Sequence, residues 1–188
     1  MVRIIAGSAR GRRIETPEGL GTRPTLDRVK EAAFGSLQFD IPHSRVLDLF
    51  SGSGNLGLEA ASRGAAHVVL NDRDSVCARI MRKNVETLGF SDTVRVLNED
   101  YAAAIERLHG EGETFDIVFL DAPYRDGTAQ LACEALFQKR MIRPGGTVMI
   151  EFGAELLPPH GVEGLMRIRR IKRYGACGFA LMEGEDPV

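Results

Sequence analysis

Hydrophobic residues between positions 45 and 152 fall into two kinds of run. Short segments are apolar at nearly every position, and they predict buried β-strands at Val46–Phe50, His67–Leu70, Val94–Leu97, Phe115–Leu120 and Thr147–Phe152. The segments between them repeat apolar residues every three or four positions, which predicts helices at Leu56–Arg63, Ser75–Leu88, Ala102–Leu108 and Ala129–Phe137. Fully apolar strands that alternate with helices indicate a parallel sheet covered on both faces.

Both ends of the chain depart from this alternation of strands and helices. Leu165–Tyr174 and Gly178–Met182 predict a closing antiparallel hairpin, and Arg143–Gly146 predicts a turn before the fifth strand. Near the start, two short apolar-basic segments, Arg3–Ile5 and Arg12–Glu15, predict a small hairpin. An amphipathic helix follows, with Thr25 as its expected N-cap. The predicted fold class is α/β: a mostly parallel, Rossmann-like sheet with a C-terminal antiparallel hairpin, plus a short N-terminal hairpin and helix.

Length and composition fit one globular domain. The chain has 188 residues, of which 44% are hydrophobic and 27% charged. We expect a single domain over residues 1–188, with 1–40 as an N-terminal extension and 44–188 as the α/β core. The three cysteines are far apart in sequence, so neither a disulfide framework nor a metal site is expected. No signal-peptide core or membrane-length apolar run occurs, and a cytoplasmic location is expected.

Basic residues concentrate at the two ends, although the formal net charge is only −2. The first 30 residues hold seven Lys and Arg against three acids, and Arg167–Arg173 holds five basic residues and no acid. Such clusters are typical of surfaces that contact a polyanion. They fit equally well as solvated faces of strands, so charge alone leaves both interpretations open.

A glycine-rich loop follows the first strand. Gly52-Ser53-Gly54-Asn55-Leu56-Gly57 matches Gly-x-Gly-x-x-Gly, a pattern shared with folds that bind dinucleotide pyrophosphates. Asp48 lies four residues before the first glycine, where a carboxylate would repel phosphates. S-adenosylmethionine (AdoMet) has a positive amino group, a sulfonium and no phosphate, so an acid here favours AdoMet over NAD. A helix-capping or turn role for Asp48 is the weaker alternative.

Acidic residues also end the next two strands. Asp72 follows the second strand, where a carboxylate can accept hydrogen bonds from both ribose hydroxyls of AdoMet or of NAD. Asp74 and Ser75 are alternative N-caps of the following helix. Asp100 ends the third strand and could accept from the adenine amine; it could equally cap the helix that follows, and the cofactor role is only slightly favoured.

The fourth strand ends in Asp121-Ala122-Pro123-Tyr124. An exocyclic amine of a nucleobase is a weak nucleophile, and its methylation needs acceptors that hold its N–H groups. Asp121 and a backbone carbonyl beside Pro123 supply such acceptors, and proline stiffens the loop. Tyr124 provides a ring on which a flipped base can stack. An ordinary Asp-Pro turn is the alternative, but the neighbouring glycine loop favours a catalytic role for Asp121, Pro123 and Tyr124.

Together these residues resemble the RsmD-type 16S rRNA guanine-N2 methyltransferases, a family of class I AdoMet-dependent methyltransferases. The resemblance spans nearly the whole chain and rests on Arg3–Gly7, Arg10–Arg12, Thr22–Thr25, Asp27–Ala32, Asp48–Gly54, Leu56–Ala60, Asn84, Asp121–Tyr124 and Lys172–Gly175. The Thr-Arg-Pro-Thr segment is the most specific part. One departure is Ala122, where the family usually has a second proline, which predicts a less rigid loop with both acceptors intact.

The resemblance implies direct in-line methyl transfer from AdoMet to the N2 amine of one guanine in 16S rRNA, with a partly assembled small subunit as the expected substrate. The implied cofactor residues are Thr25, Arg28, Asp48, Phe50, Ser51, Gly52, Gly54, Asn55, Asp72, Asp100 and Asp121. RNA contact falls to the basic ends, namely Arg3, Arg10, Arg12, Arg13, Arg23, Arg169, Arg170, Lys172 and Arg173. Adenine-N6 methylation of RNA or DNA is the alternative activity; an NAD-dependent oxidoreductase and a non-catalytic RNA-binding module are weaker ones.

Overall fold

A seven-stranded sheet forms the centre of the molecule. The computed structural model describes residues 2–17, 24–122, 127–153 and 155–185. In chain order, the strands of this sheet are β3 (Arg45–Asp48), β4 (His67–Asn71), β5 (Val94–Leu97), β6 (Phe115–Leu120), β7 (Ile142–Gly153), β8 (Met166–Tyr174) and β9 (Cys177–Gly184). They lie in the order β5-β4-β3-β6-β7-β9-β8. The first five are parallel, and β9 pairs antiparallel with both β7 and β8, so the predicted fold class is confirmed.

Five helices cover the two faces of this sheet. They are α1 (Pro24–Ser36), α2 (Asn55–Ser62), α3 (Ser75–Leu88), α4 (Tyr101–Gly110) and α5 (Thr128–Gln138). One face is buried by α1, α2 and α3 through residues such as Phe34, Leu58 and Met81. The other is buried by α4 and α5 through Ile105 and Leu136. Within the described ranges, no helix is long and apolar enough to cross a membrane.

The N-terminal arm, residues 2–15, lies against α2 and α3. Its strands β1 (Val2–Arg3) and β2 (Arg13–Ile14) form the predicted antiparallel hairpin. Glu59 in α2 accepts hydrogen bonds from the backbone N–H groups of Ile5 and Ala6, at 2.8 and 3.0 Å. Gly7 approaches α2 so closely that a Cβ would lie 1.8 Å from the carbonyl oxygen of Ser62. The extension is therefore docked on the α/β core by specific contacts.

Two local predictions are wrong. Helix α1 already includes Pro24, so Thr25 lies in its first turn and is not the N-cap; proline suits a first helical position because its missing N–H has no helical partner there. Residues 143–146 do not form a turn ahead of the fifth strand. Strand β7 begins at Ile142, and the pairing with β6 shifts from Phe115↔Ile142 to Ile117↔Thr147, so these residues form an irregularity within the strand.

Candidate functional site

The strands β3, β4 and β6 end at one edge of the sheet. Asp48 is the last residue of β3, and Asp72 and Asp121 directly follow β4 and β6. Asp48 is only 1% exposed. Its Oδ2 accepts a hydrogen bond from the Gly57 N–H at 2.9 Å, whereas its Oδ1 is buried and has no hydrogen-bond partner among the described residues. The pKa of Asp48 is raised to about 7, mainly by desolvation and in smaller part by the charges of Asp121 and Asp72, against the lowering effect of the Gly57 hydrogen bond.

The glycine loop brings the start of α2 close to β4. Gly54 precedes the helix with φ of +84°, a conformation that favours glycine. A Cβ on Gly57 would lie 2.2 Å from Leu70 Cδ2 and 3.2 Å from the Cβ of Asp48. Glycine at this third position therefore permits close packing between helix and strand. The result is a helix N-terminus that lies directly beside the buried Asp48 carboxylate.

Asp72 connects the end of β4 to the glycine loop. Its Oδ2 accepts from the Gly52 N–H and its Oδ1 from the Asp74 N–H, both at 2.9 Å. Asp72 is half-buried, and each carboxylate oxygen can accept a further hydrogen bond. Asp74 caps α3 by accepting from the Val76 N–H at 2.7 Å, so its predicted capping role is confirmed. The buried Ser51 bonds to the backbone of Asp48 and of Asn71, which holds the loop in place.

Asp100 lies at the end of β5 and caps α4. Its Oδ1 accepts from the Ala102 N–H at 3.0 Å, and the residue is exposed. Beside it, the rings of Phe50 and Tyr101 pack with centroids 5.6 Å apart. Tyr101 was not among the predicted site residues, because a tyrosine at the first position of a helix gives no distinctive sequence signal. The Phe50–Tyr101 pair provides an apolar surface at this edge.

Asp121 follows directly after β6 and is accessible to solvent, whereas Ala122 beside it is buried. Protein atoms packed around its carboxyl desolvate it and raise the pKa of Asp121 to about 6. The influence of Asp121 on the pKa of Asp48 reflects the proximity of the two carboxyls. The other two predicted catalytic residues, Pro123 and Tyr124, lie outside the described residues.

A cavity of about 540 Å³ lies next to Ala122. Its lining is largely apolar and comes from the end of β7, the first turns of α5 and the segment that follows β7. Glu151, Phe152 and Pro158 are among the lining residues. The candidate site therefore combines a cluster of carboxylates over β3, β4 and β6 with an apolar cavity beside the end of β6.

The family model described as Conserved hypothetical protein 95 matches residues 2–183. The chain belongs to this family. Ribosomal RNA small subunit methyltransferase D of Escherichia coli (strain K12) is 36% identical over 98% of this chain and 90% of its own length. The predicted membership of the RsmD-type family is therefore confirmed.

Solved structures support the same fold. A hypothetical protein of Thermus thermophilus matches with a TM-score of 0.80 and 29% identity, over 96% of this chain and 98% of that one. An RNA methyltransferase of Salinibacter ruber, solved in complex with S-adenosyl-L-homocysteine, matches with a TM-score of 0.61 over 92% of this chain and 95% of that one. At 21% identity, this second likeness concerns the fold alone.

In this RsmD-type protein, a buried ion pair that the sequence analysis did not identify joins α1 to α2, the helix that follows the glycine loop. Lys30 of α1 contacts Glu59 of α2 at 2.8 Å, and their side chains are 3% and 0% exposed. Lys30 also donates to Asn55 Oδ1 at 2.6 Å, so this predicted cofactor residue is engaged with α1. The signal was the place of Lys30 on the apolar face of α1, three and four residues before Ala33 and Phe34.

Asn84 of α3 provides a second anchor. Its side-chain amide donates to the carbonyl oxygens of Glu15 and Ser53, each at 3.0 Å, and its Oδ1 accepts from the Glu15 N–H at 2.9 Å. One side chain therefore joins the N-terminal arm to the glycine loop. The family resemblance included Asn84 but gave it no role. These contacts show that it joins the arm to the glycine loop.

The predicted RNA-binding residues lie on two surfaces. Arg3, Arg10 and Arg13 are exposed on the N-terminal arm, and Arg28 is exposed on α1. Arg12 instead donates to the carbonyl oxygens of Thr87 and Leu88 at the end of α3, where a cation is favourable. Arg23 lies outside the described residues.

The second basic surface is the edge strand β8. Arg169 donates to Thr147 Oγ1 at 3.3 Å, and the Arg173 guanidinium lies 5.4 Å from the centre of the Phe152 ring. Arg170 is exposed and Lys172 half-buried. Because β8 ends the sheet, its basic side chains lie at the border of the molecule, where a large partner can reach them.

Proposed function

We propose that this chain is an AdoMet-dependent methyltransferase that modifies the exocyclic N2 amine of a guanine in 16S rRNA. The observation that carries the proposal is the convergence of Asp48, Asp72 and Asp121 around one glycine loop at the carboxyl edge of the sheet. Membership of the family supports it, because a relative with 36% identity is named Ribosomal RNA small subunit methyltransferase D. We further propose that the whole chain acts as one catalytic domain.

The chemistry of the loop fits AdoMet and disfavours a dinucleotide. The buried Oδ1 of Asp48 has no partner within the described ranges, and an unsatisfied buried carboxylate oxygen is costly. A cationic amino group would supply the missing partner, whereas a pyrophosphate would be repelled. Asp72 retains acceptor capacity for ribose hydroxyls, and Asp100 and the Phe50–Tyr101 pair would border the adenine. When bound, AdoMet would supply a methyl group for direct in-line displacement.

Asp121 would hold the amine through an N–H group and accept that proton once methyl transfer has made the nitrogen cationic. The carbonyl of Ala122 lies next to it in the chain, so the two acceptors predicted for the amine N–H groups are adjacent. A carboxyl whose pKa is raised to about 6 is ionised at neutral pH and accepts a proton more readily than an ordinary aspartate. Most of the rate acceleration would come from positioning the amine and the methyl donor.

RNA contact is assigned to the two basic surfaces. On the arm, the exposed Arg3, Arg10 and Arg13 would contact phosphates. On β8, the exposed Arg170 and the half-buried Lys172 would do the same. Thr25 and Arg28 would lie over the methionine end of AdoMet. The proposed substrate is 16S rRNA within a partly assembled small ribosomal subunit, since a folded RNA of that size can contact both surfaces at once.

The experiment compares methyl transfer and cofactor binding in Asp121→Ala. We expect kcat for transfer to small-subunit rRNA to fall by about 100-fold or more, while the AdoMet dissociation constant measured by calorimetry changes by less than about threefold. Asp92→Ala, at an exposed position in the loop after α3, is the matched control. Equal losses of turnover and AdoMet affinity would contradict the role of Asp121, and binding of NAD without AdoMet would overturn the proposal.

A further inference from the structure

The buried amide of Asn84 is bonded to two parts of the molecule that have separate tasks in the proposed function. Asn84 is 2% exposed. Its Oδ1 accepts from the Glu15 N–H, and its Nδ2 donates to the carbonyl oxygens of Glu15 and Ser53. Glu15 follows strand β2 in the arm, which carries proposed RNA contacts. Ser53 lies in the glycine loop, which is proposed to bind AdoMet, so one side chain connects the two binding regions.

The bond to Ser53 fixes a peptide unit whose neighbours are conformationally permissive. Gly52 and Gly54 flank Ser53 with φ of +55° and +84°, and glycine restricts the backbone less than any other residue. The peptide between Ser53 and Gly54 is bonded on both sides, since its carbonyl accepts from Asn84 and its N–H donates to the Ser51 carbonyl at 2.7 Å. Ser53 is 8% exposed. Loss of the Asn84 amide would therefore remove a partner from a carbonyl that water reaches poorly.

Two more contacts attach the arm to the helix that begins at this loop. Lys30 donates to Asn55 Oδ1 at 2.6 Å and lies 3.5 Å from the carbonyl oxygen of Arg3, so it joins the first residue of α2 to the arm. Glu59, one turn further along α2, accepts from two backbone N–H groups of the arm. Displacement of the arm would therefore break contacts to the glycine loop and to α2 at once.

The cations proposed to contact RNA lie in the same short stretch of chain as these attachment points. Arg13 lies two residues before Glu15, and the carbonyl of Arg3 is one of the groups that Lys30 contacts. An RNA that contacts the arm and β8 at once requires the arm in its docked position, and so binds the docked form more tightly than a displaced one. AdoMet requires the loop conformation that the docked arm stabilises. Two ligands that favour the same form of a protein strengthen each other's binding.

We propose that Asn84 is a positioning residue that couples RNA binding on the arm to AdoMet binding at the glycine loop, so that the cofactor binds more tightly once the RNA is in place. The inference rests on the proposed function and adds a regulation of the same site. Asn84 acts through Glu15 and Ser53 and has no assigned contact with either ligand. Because coupling between two sites is reciprocal, AdoMet should strengthen RNA binding by the same factor.

Equilibrium dialysis of radiolabelled S-adenosyl-L-homocysteine measures this coupling without turnover. Its dissociation constant is determined for the protein alone and with saturating small ribosomal subunits from a strain that lacks the gene. For wild type, the subunits are expected to lower the dissociation constant by about fivefold or more. In Asn84→Ala, this ratio is expected to fall to within about twofold. Glu86→Gln, at an exposed position of the same helix, is the control and should keep the wild-type ratio.

A second variant interrupts the same link from the side of the arm. Glu15→Pro removes the N–H that donates to Asn84 and leaves the bond between Asn84 and Ser53 in place. The preceding Ile14 is in a strand, a conformation that a following proline favours. This variant should lower the ratio as Asn84→Ala does, and it tests the inference if Asn84→Ala does not fold. Glu15→Gln loses only the charge that pairs with Lys83 at 2.5 Å, and should keep the wild-type ratio.

The outcomes separate this inference from the proposed function. A ratio near one in wild type, or a wild-type ratio in either folded variant, would overturn the inference alone. A purely structural role of Asn84 predicts the second of these results, because a less stable fold would weaken S-adenosyl-L-homocysteine binding equally with and without subunits. Failure of the wild type to bind S-adenosyl-L-homocysteine under both conditions would overturn the proposed function as well.

Discussion

Asp48 is the position at which stability and cofactor binding are expected to oppose each other. Its carboxyl is 1% exposed, and burial raises its pKa from 3.8 to about 7. Between these two values the folded protein holds a proton that the unfolded chain has released. The free energy of unfolding therefore falls as pH rises from about 4 to about 7. Asp48→Asn removes the charge, so it should stabilise the ligand-free protein at high pH and weaken AdoMet binding.

The magnitude follows from the pKa shift. One pKa unit corresponds to about 1.4 kcal/mol. Relative to pH values below about 4, the pKa shift of Asp48 therefore lowers the free energy of unfolding by about 2 kcal/mol at pH 5, where the folded protein must keep the group protonated, and by about 4 kcal/mol at pH 8, where the group is ionised while buried. Asparagine keeps an acceptor for the Gly57 N–H, but its amide group is left unsatisfied at a cost of about 1–3 kcal/mol. The net gain is about 1–3 kcal/mol at pH 8 and close to zero at pH 5.

Urea unfolding of wild type and Asp48→Asn at both pH values measures this difference, with calorimetry for AdoMet affinity at pH 8. We expect the variant to bind AdoMet at least about tenfold more weakly, since it lacks the charge that pairs with the amino group. Asp92→Asn, on the surface, should change neither quantity. Destabilisation of equal size at pH 5 and pH 8, or an undiminished AdoMet affinity, would refute the reasoning.

Three further outcomes are expected. Glu59→Ala removes the buried carboxylate that contacts Lys30 at 2.8 Å and accepts hydrogen bonds from the Ile5 and Ala6 N–H groups, and should lower the free energy of unfolding in urea by about 3–5 kcal/mol; a loss below about 1 kcal/mol would contradict this. Gly57→Ala places a Cβ 2.2 Å from Leu70 Cδ2 and should cost about 1–3 kcal/mol, whereas Gly35→Ala, with open space around it, should cost nothing. Arg170→Ala combined with Lys172→Ala should reduce the slope of log K against log salt for rRNA binding by about 1–2, and an unchanged slope would remove β8 from the RNA surface.

Much of the fold could be predicted because buried strands and helices require characteristic patterns of apolar residues in the sequence. Strands β5 and β6 and helix α3 have the bounds that the apolar pattern indicated. The bulge at residues 143–146 could not be predicted, because Pro-Gly-Gly is equally typical of a turn. Whether the chain leaves the sheet there depends on pairing with β6, which is a tertiary contact.

Some residues of the candidate site could likewise be predicted from the sequence, and others could not. Asp48 and Asp72 could be located from the ends of two strands, since parallel strands bring those ends to one edge. The Lys30–Glu59 pair could not, because the place of Lys30 on the apolar face of α1 indicates burial but not its partner, which only the docking of α1 on α2 brings into contact. The role of Asn84 likewise depends on the arm and the glycine loop reaching the same point of α3.

The measurement that tests the proposed activity most directly is base-by-base mapping of 16S rRNA from a strain that lacks the gene. Mass spectrometry of nuclease digests is expected to show the loss of one N2-methylguanine, its restoration by the wild-type chain, and no restoration by Asp121→Ala. An unchanged set of modified guanines, or the loss of an N6-methyladenine instead, would contradict the proposed guanine-N2 activity.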